Sequence, residues 1–83
     1  MNKEYKKELN ELGWRYSNKL SMNDYYVFIR GKYEKLAIDV DKFKMIYDDT
    51  EEDTLGAITY ETLKVVIKIF REQEKKIYKG SEE

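Results

Sequence analysis

The run from Tyr25 to Arg30 limits the possible folds more than any other feature of the sequence. Its first five residues are aromatic or β-branched, and such side chains favour β-strands. Gly31-Lys32 follows as a tight turn, and residues 33–40 then alternate between apolar and polar side chains. The sequence therefore predicts two paired strands at the centre of an antiparallel sheet.

Further alternating segments flank this pair. Residues 14–20 alternate and predict a half-buried strand. The apolar positions are even-numbered within residues 33–40 but odd-numbered within residues 43–47. Because a slip of one residue turns a strand over, residues 41–42 are predicted to form a bulge or a turn. A short helix over residues 41–48 is the alternative.

Two helices are predicted at the ends of the chain. Residues 2–12 carry one apolar stripe with helical spacing, with Asn2 as the N-cap and Gly13 at the C-terminal end. Residues 59–79 contain no turn signal and end in good helix formers. This length favours a long helix, although part of the segment also alternates like a strand. Residues 56–59 before it predict a brief strand.

The C-terminal helix has two apolar sides in this interpretation. Its main stripe consists of Tyr60, Leu63, Val66, Ile67, Phe70 and Ile77. Val65 and Ile69 lie outside that stripe, and a second apolar side on a terminal helix indicates a partner. We therefore predict that Val65 and Ile69 form a homodimer contact.

The 83 residues include no cysteine and no histidine, which restricts the reactions and metal sites that the chain can support. This absence excludes disulfides, thiol chemistry, His/Cys zinc sites and mechanisms that need an imidazole. The sequence also lacks a glycine-rich phosphate loop and a Gly-x-Ser-x-Gly motif. We therefore predict that the protein is not an enzyme and has no catalytic residues, no metal site and no cofactor.

Length and hydropathy predict one domain in the cytoplasm. A chain of this size forms a single domain, and it has no run of apolar residues long enough to span a membrane. Its first residues lack the apolar core of a signal peptide. The prediction is one α+β domain over residues 1–83. It has an N-terminal helix, a three- to four-stranded antiparallel meander, and a long C-terminal helix packed on the sheet.

Charge is concentrated in one short segment, although the net charge of the chain is only −1. Residues 48–53 carry −5, between residues 1–47 at +3 and residues 54–83 at +1. Like charges at this density repel one another, which predicts a solvated loop. A calcium loop that begins at Glu51 is a weak alternative, because its fifth and twelfth positions carry no carboxylate.

Closely spaced carboxylates also imitate the phosphates of nucleic acid and are attracted to basic grooves on other proteins. The first functional hypothesis is therefore a small protein-binding module. It would be an inhibitor or regulator of phage or mobile-element type, acting by anti-CRISPR-like mimicry on a nucleic-acid-handling partner. Its partner-binding residues are Asp48, Asp49, Glu51, Glu52 and Asp53.

Basic and aromatic residues around the predicted sheet support a second hypothesis. Sheet faces with cations and aromatic rings are typical of proteins that bind single-stranded nucleic acid. The candidate residues are Arg15, Lys19, Phe28, Arg30, Lys32, Lys35, Lys42 and Lys44. In the competing interpretation, the aromatic rings form the core and the lysines cover the solvated side of the sheet.

A family resemblance bears on this second hypothesis. It rests on Tyr-Val-Phe-Ile-Arg at residues 26–30, Leu-Ala-Ile-Asp-Val-Asp at 36–41 and Gly-Ala-Ile-Thr at 56–59. Residues 25–70 resemble the single-stranded-DNA-binding domain of the transcriptional coactivator positive cofactor four. The resemblance implies a curved four-stranded meander, a following helix and a homodimer that binds single-stranded DNA. That family has basic residues where this chain has the acidic residues 48–53, so the function does not follow from the fold alone.

Overall fold

The computed structural model describes residues 1–32, 34–49 and 59–81. These residues form α1 (Lys3–Glu11), β1 (Arg15–Tyr16), β2 (Tyr25–Arg30), β3 (Glu34–Asp39), β4 (Lys44–Asp49) and α2 (Tyr60–Ser81). The predicted α+β arrangement of helix, antiparallel meander and C-terminal helix is confirmed. Neither helix in the described ranges has the length and hydropathy of a membrane span.

The ends of α1 are set by the residues that were expected to cap it. The side-chain oxygen of Asn2 accepts a hydrogen bond from the backbone N–H of Glu4 at 2.9 Å, which satisfies a donor that the helix leaves free. At the other end, the N–H of Gly13 donates to the Asn10 carbonyl at 3.0 Å. Gly13 has a φ of +96°, which only glycine adopts without steric cost. The chain therefore turns directly from α1 into β1.

The four strands form one antiparallel sheet in the order β1-β2-β3-β4. Residues paired across neighbouring strands lie on the same face of the sheet. The face toward the helices, here called the inner face, includes the row Tyr16, Phe28, Leu36 and Tyr47. The opposite side, here called the outer face, has the rows Arg15–Ile29–Lys35–Asp48, Val27–Ala37–Ile46 and Tyr25–Asp39–Lys44.

The core lies between the inner face and the two helices. Its fully buried side chains include Leu9 of α1, Trp14 in the turn before β1 and Phe28 of β2. Complete burial of such a side chain contributes about 1.5–3 kcal/mol to folding. The prediction that Phe28 contacts nucleic acid is therefore wrong, because its ring is enclosed by the core and cannot stack on a base.

β1 is shorter than the strand predicted over residues 14–20. After Tyr16 the chain turns, and the Ser17 carbonyl accepts a hydrogen bond from the Ser21 N–H at 3.0 Å. The Ser17 hydroxyl also accepts one from the Leu20 N–H at 3.2 Å. Serine hydroxyls of this kind offer the backbone an alternative to sheet pairing, which ends the strand despite its alternating pattern.

The predicted change of parity after β3 corresponds to a turn. Asp39 Oδ1 accepts a hydrogen bond from the Lys42 N–H at 3.1 Å, and Phe43 has a φ of +53° as the chain enters β4. The alternative of a helix over residues 41–48 is wrong. The predicted acidic loop is wrong at its first two residues, because Asp48 and Asp49 belong to β4.

Other predictions fall outside the described residues. The rest of the acidic run, with Glu51, Glu52 and Asp53, lies there, as does most of the brief strand predicted at residues 56–59. Thr59 is described, and it precedes α2 rather than belonging to a strand. Its hydroxyl accepts a hydrogen bond from the Thr62 N–H at 3.3 Å, as an N-cap does.

α2 buries a different stripe from the predicted one. Val65 and Ile69 are each only 5% exposed and pack in the core of their own chain. The prediction of a dimer contact through these two side chains is therefore wrong. Up to Ile77, where description of its side chains ends, the exposed large apolar residues of the helix are Tyr60, Ile67 and Ile77. The buried stripe is rotated because it includes Thr62, a polar residue that a hydropathy pattern assigns to the surface.

Candidate functional site

Three kinds of side chain occupy three sides of α1. The apolar side packs in the core and comprises Tyr5, Leu9 and Leu12. The basic side faces β1 and comprises Lys3, Lys6, Lys7 and the neutral Asn10. The acidic side faces α2 and comprises Glu8 and Glu11. This separation follows from the spacing of three and four residues within each set.

An open groove of about 450 Å³ lies between β1 and the basic side of α1. We call it the basic groove, and its lining residues are Lys3, Lys6, Lys7, Asn10, Arg15 and Tyr16. The Lys6 ammonium lies 4.0 Å from the centre of the Tyr16 ring, a cation–π contact that fixes Lys6 against β1. A continuation of about 270 Å³ runs past Arg15 to Ser17 and Ile29.

The cations of the basic groove have no acidic partner among the described residues. Ion pairs in those residues join Arg30 to Glu34 and Lys68 to Glu8. Lys3, Lys7 and Arg15 are exposed to solvent. Several unpaired like charges along one groove produce a positive potential that attracts anions.

The acidic side of α1 faces Glu61, Lys64 and Lys68 of α2. The Lys68 ammonium lies 3.0 Å from Glu8 Oε1. Glu8 and Glu11 line a second groove of about 250 Å³ together with Lys64 and Lys68. Exposed pairs of this kind contribute only about 0–1 kcal/mol to stability. The structural effect of these contacts is that Glu8 and Glu11 lie on the side of α1 that faces away from the basic groove.

Trp14 positions Arg15 at the groove. The buried Trp14 ring donates a hydrogen bond from Nε1 to the hydroxyl of Thr62 at 3.1 Å. The Arg30 guanidinium carbon lies 4.4 Å from the centre of the same ring, a stacked cation–π contact. Successive residues in an extended chain point in opposite directions, so the inward Trp14 directs Arg15 outward.

Arg30 is engaged inside the protein and is not a free cation. Its guanidinium donates two hydrogen bonds to the Glu34 carboxylate, which also accepts one from the Tyr47 hydroxyl at 2.8 Å. The hydrogen bonds from Arg30 lower the pKa of Glu34, against the opposing effect of partial burial, and the Tyr47 hydroxyl lowers it further. This cluster already satisfies the charge of Arg30, so the structure does not place Arg30 with the unpaired cations, and its binding to nucleic acid stays a prediction.

The remaining predicted cations do not form one site. Lys19, Lys32 and Lys42 are exposed in three different turns. Arg15, Lys35 and Lys44 share the outer face. Arg15 also lines the basic groove, so it is the member of the predicted set that the structure places with other unpaired cations.

Sequence reasoning missed the three lysines of α1 because it treated the helix as a scaffold with one apolar stripe. The signal was present in the spacing, since basic residues at 3, 6 and 7 alternate with acidic residues at 4, 8 and 11. A helical projection separates these two sets by sign. A projection of α1 does not include Arg15, because Arg15 belongs to β1 and is brought to the groove by the turn at Gly13.

The described carboxylate of the acidic run, that of Asp48, lies away from the basic groove. Asp48 is exposed on β4, the edge strand opposite β1. In the described ranges, no group of three or more Asp, Glu, Cys or His side chains is arranged to hold a metal ion.

The fold and the groove define a small α+β domain with four described cations along one groove beside β1. Comparison of the chain with protein-family models, curated proteins and solved structures found no match. The resemblance to positive cofactor four therefore stays a prediction that rests on the short segments within residues 25–70.

Proposed function

We propose that this chain is a non-enzymatic binding module whose basic groove holds the phosphate backbone of a single-stranded nucleic acid. The observation that carries the proposal is the set of four cations along one groove, none with an acidic partner in the described residues: Lys3, Lys6, Lys7 and Arg15. Phosphates bound there release condensed counterions, which is the main source of such affinity.

A single strand fits this groove because the cations lie beside an aromatic ring. Tyr16 is half-buried in the groove wall and holds the Lys6 ammonium 4.0 Å from the centre of its ring, and single-strand sites combine a basic track with aromatic rings. The continuation past Arg15 lengthens the track along β1.

The acidic pI of about 5.6 does not oppose binding at this edge. β4, where the acidic run begins, is three strands away from β1. At about 4.8 Å per strand, this separation is roughly 14 Å. The Debye length at physiological salt is about 8 Å, so repulsion from Asp48 is largely screened at the groove.

The test is fluorescence anisotropy with a labelled mixed-sequence single strand, measured over a range of salt concentrations. Four phosphate contacts predict a slope of log affinity against log salt of about −3, at about 0.7 for each contact. The triple variant Lys3→Gln, Lys7→Gln and Arg15→Gln removes three exposed cations. It should reduce the size of the slope by about 2 and abolish binding at physiological salt.

A matched control separates the groove from overall charge. Arg71, Lys75 and Lys76 are also one arginine and two lysines, all exposed on α2. Their replacement by Gln gives the same net charge and should leave the affinity nearly unchanged. Equal losses in both triple variants, or no binding at low salt, would refute the proposal.

A second candidate function keeps the acidic run as the binding element. The observation that favours it is the position of Asp48, which is exposed on an edge strand and begins five acidic residues within six. In this proposal, the run binds a basic groove on a nucleic-acid-handling protein.

Neutralisation of the run tests this candidate. The five acidic residues are replaced by Asn or Gln, and a protein that binds wild type in a lysate pull-down is identified and purified. Its affinity for the variant at low salt should fall by at least tenfold, while thermal unfolding of the variant stays the same. Unchanged affinity contradicts the candidate.

A further inference from the structure

On β3 and β4 the outer face carries four charges in an antisymmetric arrangement, and Arg15 of β1 is a fifth charge outside it. On β3, Lys35 lies at one end and Asp39 at the other. On β4 the order is reversed, with Asp48 paired to Lys35 and Lys44 paired to Asp39. The row between them is apolar and consists of Val27 and Ala37, which are buried within the chain, and the exposed Ile46. On each strand, therefore, one positive and one negative side chain flank an apolar residue, and the order of the two signs is reversed between the strands.

We infer that this outer face binds a second copy of the chain about a two-fold axis that runs along the apolar row. The rotation keeps the strand order and exchanges the two ends of each strand. It places Lys35 opposite Asp39 of the second copy, and Lys44 opposite Asp48 of the second copy. The four charges Lys35, Asp39, Lys44 and Asp48 then each meet one of opposite sign, as a self-complementary interface requires. The inference does not depend on the proposed function.

Among the described residues, pairing within one chain leaves these charges without a close ion pair. Lys35 and Asp48 are cross-strand neighbours, and so are Asp39 and Lys44. Neither pair forms an ion pair in the described structure, where the salt bridges are those of Arg30 and Lys68. Lys35, Lys44 and Asp48 are exposed, so their charges are available to another copy.

Apolar groups supply the centre of the contact. Ile46 is 54% exposed, and the rotation brings it against Ile46 of the second copy. Ile29 and Tyr25 are half-buried and meet each other across the axis. The small Ala37 between them allows two sheets to approach to the usual distance of about 10 Å.

The size of the face predicts weak association. Four strands at about 4.8 Å and five residues at about 3.4 Å give a footprint of roughly 20 by 17 Å. This is well below the roughly 800 Å² per partner of a standard interface, so we expect a dissociation constant in the micromolar range. Because the strand order is kept, β1 of both copies lies at the same edge of the pair.

A charge exchange between β4 strands tests the arrangement. Lys44→Glu and Asp48→Lys each place like charges opposite one another in a homodimer, so each variant alone should stay monomeric. Mixed together, the two variants restore opposite charges at both contacts and should form a heterodimer. Sedimentation velocity from about 1 to 500 µM would show wild-type dimers in the micromolar range, monomers of each variant, and dimers of the mixture.

A pair of isoleucine variants controls for general surface effects. Ile46→Asp, on the outer face, should abolish the wild-type dimer, whereas Ile67→Asp, on α2, should leave it unchanged. Ile67 is a fair match because it is 46% exposed. The inference is overturned if wild type stays monomeric throughout, if the charge variants alone dimerise like wild type, or if their mixture stays monomeric. It is also overturned if Ile67→Asp, rather than Ile46→Asp, removes the dimer.

Discussion

Replacement of Thr62 by valine isolates one hydrogen bond on which the packing of α2 depends. Thr62 and Trp14 are both fully buried, and the Trp14 Nε1–H donates to the Thr62 hydroxyl at 3.1 Å. Valine keeps the shape of threonine but has no acceptor. The Thr62→Val variant therefore leaves the indole N–H without a partner in a place that water does not reach.

The expected loss follows from the cost of an unpaired buried donor, about 1–3 kcal/mol. The stability of a domain of 83 residues is about 4–12 kcal/mol at 0.05–0.15 kcal/mol per residue. With a urea dependence of about 1–2 kcal/mol per M, a loss of about 2 kcal/mol lowers the unfolding midpoint by about 1–2 M.

Urea titration followed by far-UV circular dichroism measures this loss. Trp14 is the only tryptophan in the chain, so its fluorescence gives a second signal for proteins that retain it. The Trp14→Phe background supplies the comparison, because phenylalanine has no N–H to leave unpaired. The contact between Thr62 and Thr59 is lost in both backgrounds, so it cancels from the cycle.

The double-mutant cycle measures how much the hydrogen bond between Trp14 and Thr62 contributes to stability. In the Trp14→Phe background, Thr62→Val should cost about 1–3 kcal/mol less than in wild type, since no buried donor is then left unpaired. An equal loss of stability in the two backgrounds would refute the argument, because the hydrogen bond would then contribute nothing.

Three further predictions concern the termini of α1 and the cluster around Arg30. Because the pKa of Glu34 lies below its ordinary value of 4.5, its stabilising effect is complete above that pH and disappears as the pH falls through the lowered value. Glu34→Gln should therefore unfold at lower urea than wild type at pH 7, and the difference should shrink on acidification. Gly13→Ala introduces a Cβ 3.3 Å from Arg30 Cδ at a φ of +96° and should cost about 1–2 kcal/mol in thermal melts. Gly31→Ala, with open space around it, should cost less, and equal losses would contradict the role of Arg30. Asn2→Ala should cost about 1 kcal/mol in the same melts and Asn2→Ser much less, whereas equal losses would exclude capping.

The sequence predicted the elements whose signals are local. The strand at Tyr25–Arg30 and the start of α1 at Asn2 were found because a run of strand-forming residues and a capping side chain act within a few residues. The turn after Val40 was found for the same reason, since a change of parity is visible in the chain itself.

The errors concern contacts between distant segments. The rotation of α2 depends on the bond between Trp14 and Thr62, residues 48 positions apart, and no periodicity within the helix contains that information. Arg30 looked like a free cation because its stacking on Trp14 is a tertiary contact. The basic groove likewise requires α1 to lie beside β1, which a hydropathy pattern does not specify.

The length of α2 beyond its core contacts has a consequence for how the molecule opens. Among the side chains that the structure describes, its last apolar contact with the core is that of Phe70, yet the helix continues to Ser81, a further 11 residues or roughly 16 Å. Isolated helical segments of that length are marginal in water. Amide hydrogen exchange should therefore be slow around Val66, where release requires global unfolding, and progressively faster after Phe70. The two parts of this continuous helix would then unfold as separate cooperative units, and only the part up to Phe70 would unfold together with the core.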